Sequence, residues 1–267
     1  MELLRFEQFR AVNEAVDLET LLHKNYPDFV RALKGQSLDD RVMAAITAGR
    51  EDGRPDDERI DFPRATTSIM VSDLRPTQSE IDVDKSLIKT LAGSDARQLR
   101  SMANGDTIEL GAPVLTLNGQ WVIDGHHRWS QVYAMNRDAK IVCLDLRTKE
   151  KADPVEVLKA MQMAILATLK TIPTEVVRGH NLLRVGEREL KSYVKDRAAE
   201  NFLAAIEMDA DGAADMIWAN VSDMQRVARP AANAPDREVM PQTGEAIRRE
   251  EFQSSLRSGI INFKDPV

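Results

Sequence analysis

Trp121-Val122-Ile123-Asp124-Gly125-His126-His127-Arg128-Trp129 decides the reading of this chain. Apolar residues run into an Asp-Gly turn, and His126, His127 and Arg128 then open a helix expected to reach about Asn136. A strand-to-helix turn presents backbone N–H groups, and the helix dipole makes that end attractive to anions. Arg128 adds a fork of donors suited to phosphate.

Working outward, Pro113-Val114-Leu115-Thr116-Leu117 and Gln120-Trp121-Val122-Ile123 flank Asn118-Gly119. Asn-Gly between two apolar runs is a strong hairpin signal, because both central residues must take positive φ. Ser68-Ile69-Met70-Val71 reads as a short strand and Leu74-Arg75-Pro76-Thr77-Gln78 as a turn. Asp84 to Gly93 and Asp95 to Asn104 read as short helices, and Ile141 to Leu144 as a buried strand.

The flanks have a different character. Residues 1–50 place Phe6, Phe9, Val12 and Val16 at helical spacing. Residues 51–64 are charged and carry Gly53, Pro55 and Pro63, which reads as a linker. Residues 151–267 return to helix: Val155, Leu158, Met161 and Leu169 suggest a buried helix, with further helices over Leu190–Ala205 and Ala213–Val227. Residues 229–244 read as extended, and the methionines between 161 and 224 as core filling.

The chain has 267 residues, 43% hydrophobic and 30% charged, with a net charge of −7. That is an ordinary globular composition, and its acidity disfavours general coating of DNA. The single cysteine, Cys143, excludes an internal disulfide and a cysteine zinc cluster. No apolar run is long enough to span a membrane, and Met1-Glu2-Leu3-Leu4-Arg5-Phe6-Glu7 is unlike a signal peptide. The expected location is the cytoplasm, the host's if the chain is viral.

Three features then converge: Val71-Ser72-Asp73-Leu74-Arg75-Pro76-Thr77-Gln78 as a strand entering a Leu-x-Pro turn, the hairpin over Ala112–Ile123, and Asp124-Gly125-His126-His127-Arg128-Trp129 before a helix and the strand Ile141–Leu144. In this order they resemble the ParB/sulfiredoxin superfamily over about residues 66–147. The resemblance implies an α+β fold: a small mixed sheet-and-helix core at 65–150, with mainly α-helical extensions on both sides. In the ParB branch the decisive position reads Gly-Glu-Arg-Arg-Trp and grips nucleotide phosphates; in sulfiredoxin it reads Gly-Cys-His-Arg. In the free-serine kinase branch it reads Asp-Gly-His-Thr-Arg, the form closest to this chain. His126 stands where sulfiredoxin carries its cysteine, so sulfinic acid reduction has no nucleophile here. No helix-turn-helix with a basic recognition helix follows residue 147.

The resemblance to the kinase branch implies a nucleotide phosphate donor, ATP or ADP, and a carboxylate base. Glu80 follows the Pro76-Thr77-Gln78 turn where that branch places its catalytic glutamate; without the resemblance it reads as a solvated loop acid. The backbone of Gly125, His126 and His127 is placed to receive phosphates, with Arg128 countering the developing charge. Adjacent histidines diverge by about 100° on a helix. One is therefore expected to hydrogen-bond phosphate, and the other to pack beneath or to hold Asp124. Asp124 either holds Mg2+ or caps the helix. Gln78 contacts base, acceptor or its own turn. The expected catalytic set is thus Glu80, Asp124, His127 and Arg128, and the nucleotide-binding set Gln78, Gly125, His126, His127 and Arg128. A rival reading, zinc, needs a third ligand such as Asp124 or His180. Trp129 reads as core.

Three functions stand at this point. The first is a nucleotide-dependent phosphotransferase or NTPase with Mg2+ and a hydroxyl acceptor of unspecified identity. The second is a ParB-like DNA-binding protein or nuclease. The third is a non-catalytic, phage-type assembly or regulatory protein, its helical flanks serving as oligomer surfaces.

Overall fold

The computed structural model describes residues 60–61, 63, 65–148, 153–158, 161 and 179–236. The helices expected within residues 1–50, the tail beyond 236 and most of the helix begun at Val155 lie outside the described residues.

Within the described residues the architecture is α+β. Strand β1 (Ile60–Asp61) is followed by β2 (Thr67–Met70), a 3-10 turn at Val71–Asp73, and β3 (Arg75–Pro76). Helices α1 (Val83–Leu91) and α2 (Ala96–Asn104) lead to β4 (Thr107–Ile108) and the hairpin β5 (Val114–Leu117) and β6 (Trp121–Asp124). Helix α3 (His126–Met135) and the long β7 (Lys140–Thr148) complete the mixed unit, and α4 (Glu187–Arg197), α5 (Glu200–Ile206) and α6 (Ala210–Val227) form a helical layer.

Strand β7 organises the sheet. It pairs antiparallel with β1 and β2 and parallel with β4 and β5, and the order continues β1-β7-β5-β6-β3. The hairpin turns at Asn118 and Gly119, both at positive φ (54° and 67°), as an Asn-Gly turn requires. Asp145 on β7 fastens that turn, accepting from Gly119 N (2.7 Å) and from Thr116 Oγ1 (2.9 Å). β3 then lies parallel to β6, pairing Arg75 with Trp121 and Pro76 with Val122. It is the outermost strand, where a proline lacking an N–H costs the ladder little.

The helices begin and end where their side chains dictate. Asp82 and Asp95 cap α1 and α2 by accepting from Lys85 N and Gln98 N, and Gly105 at φ 78° closes α2. Helix α3 is the keel of the molecule. Its Trp129, Val132, Tyr133, Ala134 and Met135 are buried. Trp129 Nε1 donates to the Val71 carbonyl at 2.9 Å, and its ring meets Tyr133 edge-on at 5.7 Å. Helix α6 packs on α3, α4 on α6, and α5 on α2. One buried apolar cluster runs from Val71 and Leu74 through α3 to Leu190, Phe202 and Met224, crossing the residue-150 boundary.

Three departures from the sequence reading have physical causes. Ile60–Asp61, expected within a linker, pairs with Thr148 and Arg147 because β7 runs past the core and offers backbone partners there. The expected turn at Leu74–Gln78 contains β3, too short to show any periodicity. The expected single helix over Leu190–Ala205 is two helices: Ala198 and Ala199 turn extended, and Ala199 N donates to the Leu91 carbonyl at the end of α1 instead of continuing the helix.

Candidate functional site

The corner between β6 and α3 is made by Gly125, whose φ of 90° suits a residue without Cβ. No side chain caps the first turn of α3. Arg128 folds back over the glycine instead. A Cβ built on Gly125 would stand 2.7 Å from Arg128 Nη2 and 3.0 Å from Nε. Arg128 Nη2 donates to Asp124 Oδ2 at 3.2 Å; the two side chains are 28% and 47% exposed. Arg128 Nε is buried and has no hydrogen-bond partner. An unsatisfied donor on a cation is costly. The corner therefore gathers a helix N-terminus, an inward guanidinium donor and a half-exposed carboxylate.

The two histidines face a different partner, the loop Thr77–Asp82. The Thr77 backbone N–H donates to His126 Nε2 at 3.1 Å, while Thr77 Oγ1 donates to the Val122 carbonyl at 2.7 Å. The Asp82 N–H donates to His127 Nε2 at 3.4 Å. Both imidazoles thus accept through Nε2 and hold the two ends of one loop. His126 is buried; burial foremost, then the charges of His127 and Arg128, pull its pKa down to about 3, against the Val122 carbonyl. It is therefore a neutral acceptor at ordinary pH. Its ring nitrogen serves Thr77, and only its backbone N–H belongs to the helix N-terminus.

That loop carries Gln78 and Glu80. Gln78 is buried and Glu80 half-buried. The helical layer grips the loop from its far side. Ile81 N donates to Asn181 Oδ1 (3.1 Å), Asn181 Nδ2 donates to the Ser79 carbonyl (3.0 Å), and the main chains of Asp82 and Asn181 form an antiparallel bridge. Ser79 N donates to the Pro235 carbonyl and Ala231 N to the Pro76 carbonyl, both at 3.0 Å. Asp82 is buried, and its Oδ2 lies so close to Gly179 that a Cβ there would overlap it.

The fold thus brings the Gln78 and Glu80 loop against the helix that carries His126, His127 and Arg128, with Asp124 and Gly125 at its entrance. Sequence reading missed Thr77, Asp82 and Asn181. An Asn after Gly179-His180 in a loop carries no local signal of a partner a hundred positions earlier. His180 is exposed and pairs with Glu189 through Nδ1 at 2.5 Å. Among the described residues, no group of three or more His, Cys, Asp or Glu is arranged to hold a metal ion, which leaves the zinc reading without a ligand set there. A cavity of about 720 Å3 opens between α1 and α4, lined by residues that include Asp84, His180, Arg188 and Tyr193; no corner residue lines it. Among the described residues no helix is long and apolar enough to cross a membrane. Comparison with protein-family models, with curated proteins and with solved structures gave no match to this chain.

Proposed function

We propose that the Asp124–Arg128 corner binds the phosphates of a nucleotide, ATP or ADP, in a phosphotransferase or NTPase of ParB/sulfiredoxin-like type. One observation carries this reading: Arg128 Nε is buried without a partner above a glycine that opens an uncapped helix. With Arg128 lifted off Gly125, a phosphate oxygen would satisfy that nitrogen and the first N–H groups of α3 together. The half-exposed Asp124 carboxylate fits Mg2+, which takes one or two carboxylates and completes its shell with phosphates and water. Bound there, Mg2+ would supply charge neutralisation on the phosphates.

In the proposed reaction the acceptor oxygen, from a hydroxyl or from water, attacks the terminal phosphorus. The bond from that phosphorus to the bridging oxygen breaks, and the nucleotide leaves with its electron pair. Glu80 takes the acceptor's proton, and Arg128 stabilises the charge gathering on the transferred group. A second reading, a non-catalytic regulatory or assembly protein, is favoured by the fact that Asp124 already serves Arg128 as counter-ion. A DNA-binding or nuclease role draws on the resemblance alone.

Calorimetry with ATP, ADP and CTP in Mg2+ tests the reading. Arg128→Ala is expected to weaken binding at least 10-fold, the scale of one charge-assisted hydrogen bond. Absence of binding by all three at millimolar concentration overturns it. Binding with no turnover above background in the wild type selects the regulatory reading instead; where turnover occurs, Glu80 as the base predicts a loss of roughly 100-fold or more in Glu80→Gln, and unchanged turnover removes Glu80 from that role.

A further inference from the structure

We propose that Asn181 is the positioning residue for Glu80, a role that rests on the phosphotransfer reading above. Its side-chain amide is spent on the two residues that bracket the glutamate. Nδ2 takes the carbonyl of Ser79, immediately before Glu80, and Oδ1 takes the N–H of Ile81, immediately after it. Those two groups belong to the peptide planes on either side of Glu80, so one planar amide constrains the glutamate's φ and ψ and hence the direction of its Cα–Cβ bond. A carboxylate that must accept a proton from a positioned hydroxyl gains most from such a constraint, because the productive geometry tolerates little displacement.

The amide is itself held. Asn181 Oδ1 also accepts from Leu183 N at 3.0 Å, which orients the side chain from its own turn. Leu182 N donates to the Ile81 carbonyl at 2.6 Å and Val83 N to the His180 carbonyl at 2.9 Å, so main-chain bonds flank the side-chain grip. Gln225 on α6 donates to the carbonyls of Leu182 and Val185, both at 3.0 Å, and Leu182 is fully buried. The support therefore runs from the long helix α6, through the 181–185 turn, to the backbone around Glu80. The histidines of α3 fix the loop's ends at Thr77 and Asp82, and Asn181 fixes its middle. The helical layer in this way completes a site whose other residues all come from the mixed sheet unit.

The test uses the full chain and compares wild type, Asn181→Ala, Asn181→Asp, Glu80→Gln and the double variant Asn181→Ala/Glu80→Gln. Nucleotide affinity is read by calorimetry, turnover by phosphate transfer or release, and folding by thermal unfolding. Asn181→Ala is expected to keep nucleotide Kd within about 3-fold while kcat falls at least 10-fold, because Asn181 touches the base-bearing loop and not the phosphate corner. Asn181→Asp keeps an acceptor for Ile81 N and Leu183 N but sets a charged oxygen, in place of the donor, against the Ser79 carbonyl, so it disturbs the loop on one side and serves as the second variant if the alanine form unfolds; its kcat is expected to fall by several-fold. The double variant is expected to be no slower than Glu80→Gln alone, since an amide that acts through Glu80 has nothing left to position. A folded Asn181 variant with wild-type kcat, or a double variant slowed by the product of the single effects, overturns the proposal while leaving the nucleotide reading intact. A wild-type chain that binds no nucleotide overturns both, and is recognised by the calorimetry before any variant is compared.

Discussion

The Asp124–Arg128 corner and the Thr77–Asp82 loop meet at the start of α3, yet they are held by opposite means. The corner is local. Its turn, its glycine and its ion pair fall within five consecutive residues, and the Asp124–Arg128 contact joins the end of β6 to the first turn of α3. The loop is held from a distance. Its partners lie 49 residues away at His126, 45 at His127, 100 and 102 at Asn181, and 157 at Asp236. The proposed phosphate site at the corner would need only backbone N–H groups and one cation, which a short sequence can supply. Aligning the proposed proton acceptor, Glu80, with that corner would require a second element whose position is set by the rest of the fold.

The two regions share one support, and removing it gives the largest expected effect. Trp129 is fully buried and bonded to the Val71 carbonyl. Trp129→Ala is expected to cost about 3–5 kcal/mol in urea unfolding, the usual range for a buried tryptophan. Amide exchange should rise together at Thr77, Asp82 and the first turn of α3. Loss at the loop with the corner unchanged would mean that α3 is not their common base.

Acidification separates the regions by charge. His126 has a folded-state pKa near 3 and an ordinary value of 6.5. Between those values the unfolded chain binds a proton that the folded one does not, so stability is complete above pH 6.5 and declines as pH falls toward 3. The contribution of this group approaches about 1.4 kcal/mol per pH unit in the middle of that window. His126→Gln offers Thr77 an acceptor that does not titrate. Its unfolding free energy is therefore expected to fall less steeply than that of wild type from pH 6 to pH 4. Equal slopes would show that His126 is not a buried neutral acceptor.

Gly125→Ala acts on the corner alone. At φ 90° an alanine is strained, and its Cβ must displace the Arg128 guanidinium. The expected cost is about 1–3 kcal/mol, with weaker nucleotide binding and unchanged exchange at Thr77 and Asp82. Asn tolerates positive φ better than Ala, so Gly125→Asn should recover part of the stability. Failure to recover any of it would place the cost in the displaced guanidinium.

The same contrast explains what the sequence disclosed. Asn118-Gly119, Asp124-Gly125 and Asp95 impose their conformations through their own chemistry, so the hairpin, the corner and the start of α2 were legible; α1 begins just ahead of the expected Asp84, where Asp82 caps it. Trp129 was legible as core from its place on an apolar helix. The two-residue strand β3 was not, because its pairing with β6 depends on residues more than forty positions away. Nor was the break between α4 and α5, where no Gly or Pro interrupts the pattern. There Ala199 N bonds to Leu91 and Phe202 N sits 2.6 Å from where a Cβ on Gly93 would stand, so the chain bends to fit a neighbour. Of the site, the residues on one turn of helix were readable, and the amide that grips the opposing loop was not.

The smallest effect concerns the most distant tie. Ser79 Oγ donates to Asp236 Oδ1 at 2.6 Å in an exposed setting, while the Ser79 main-chain N–H separately donates to the Pro235 carbonyl. Ser79→Ala removes the hydroxyl's contacts with Asp236 Oδ1 and with the Pro235 carbonyl (3.3 Å) and keeps the main-chain bond. Water can replace the lost partner at both atoms, so the expected cost is at most about 1 kcal/mol in urea unfolding. Asp236→Asn retains an oxygen for the same hydroxyl and should cost less still. A loss of several kcal/mol from Ser79→Ala would reverse the order of the ties, making the segment around Pro235 and Asp236, rather than Asn181 and the paired histidines, the main anchor of the loop that carries Glu80.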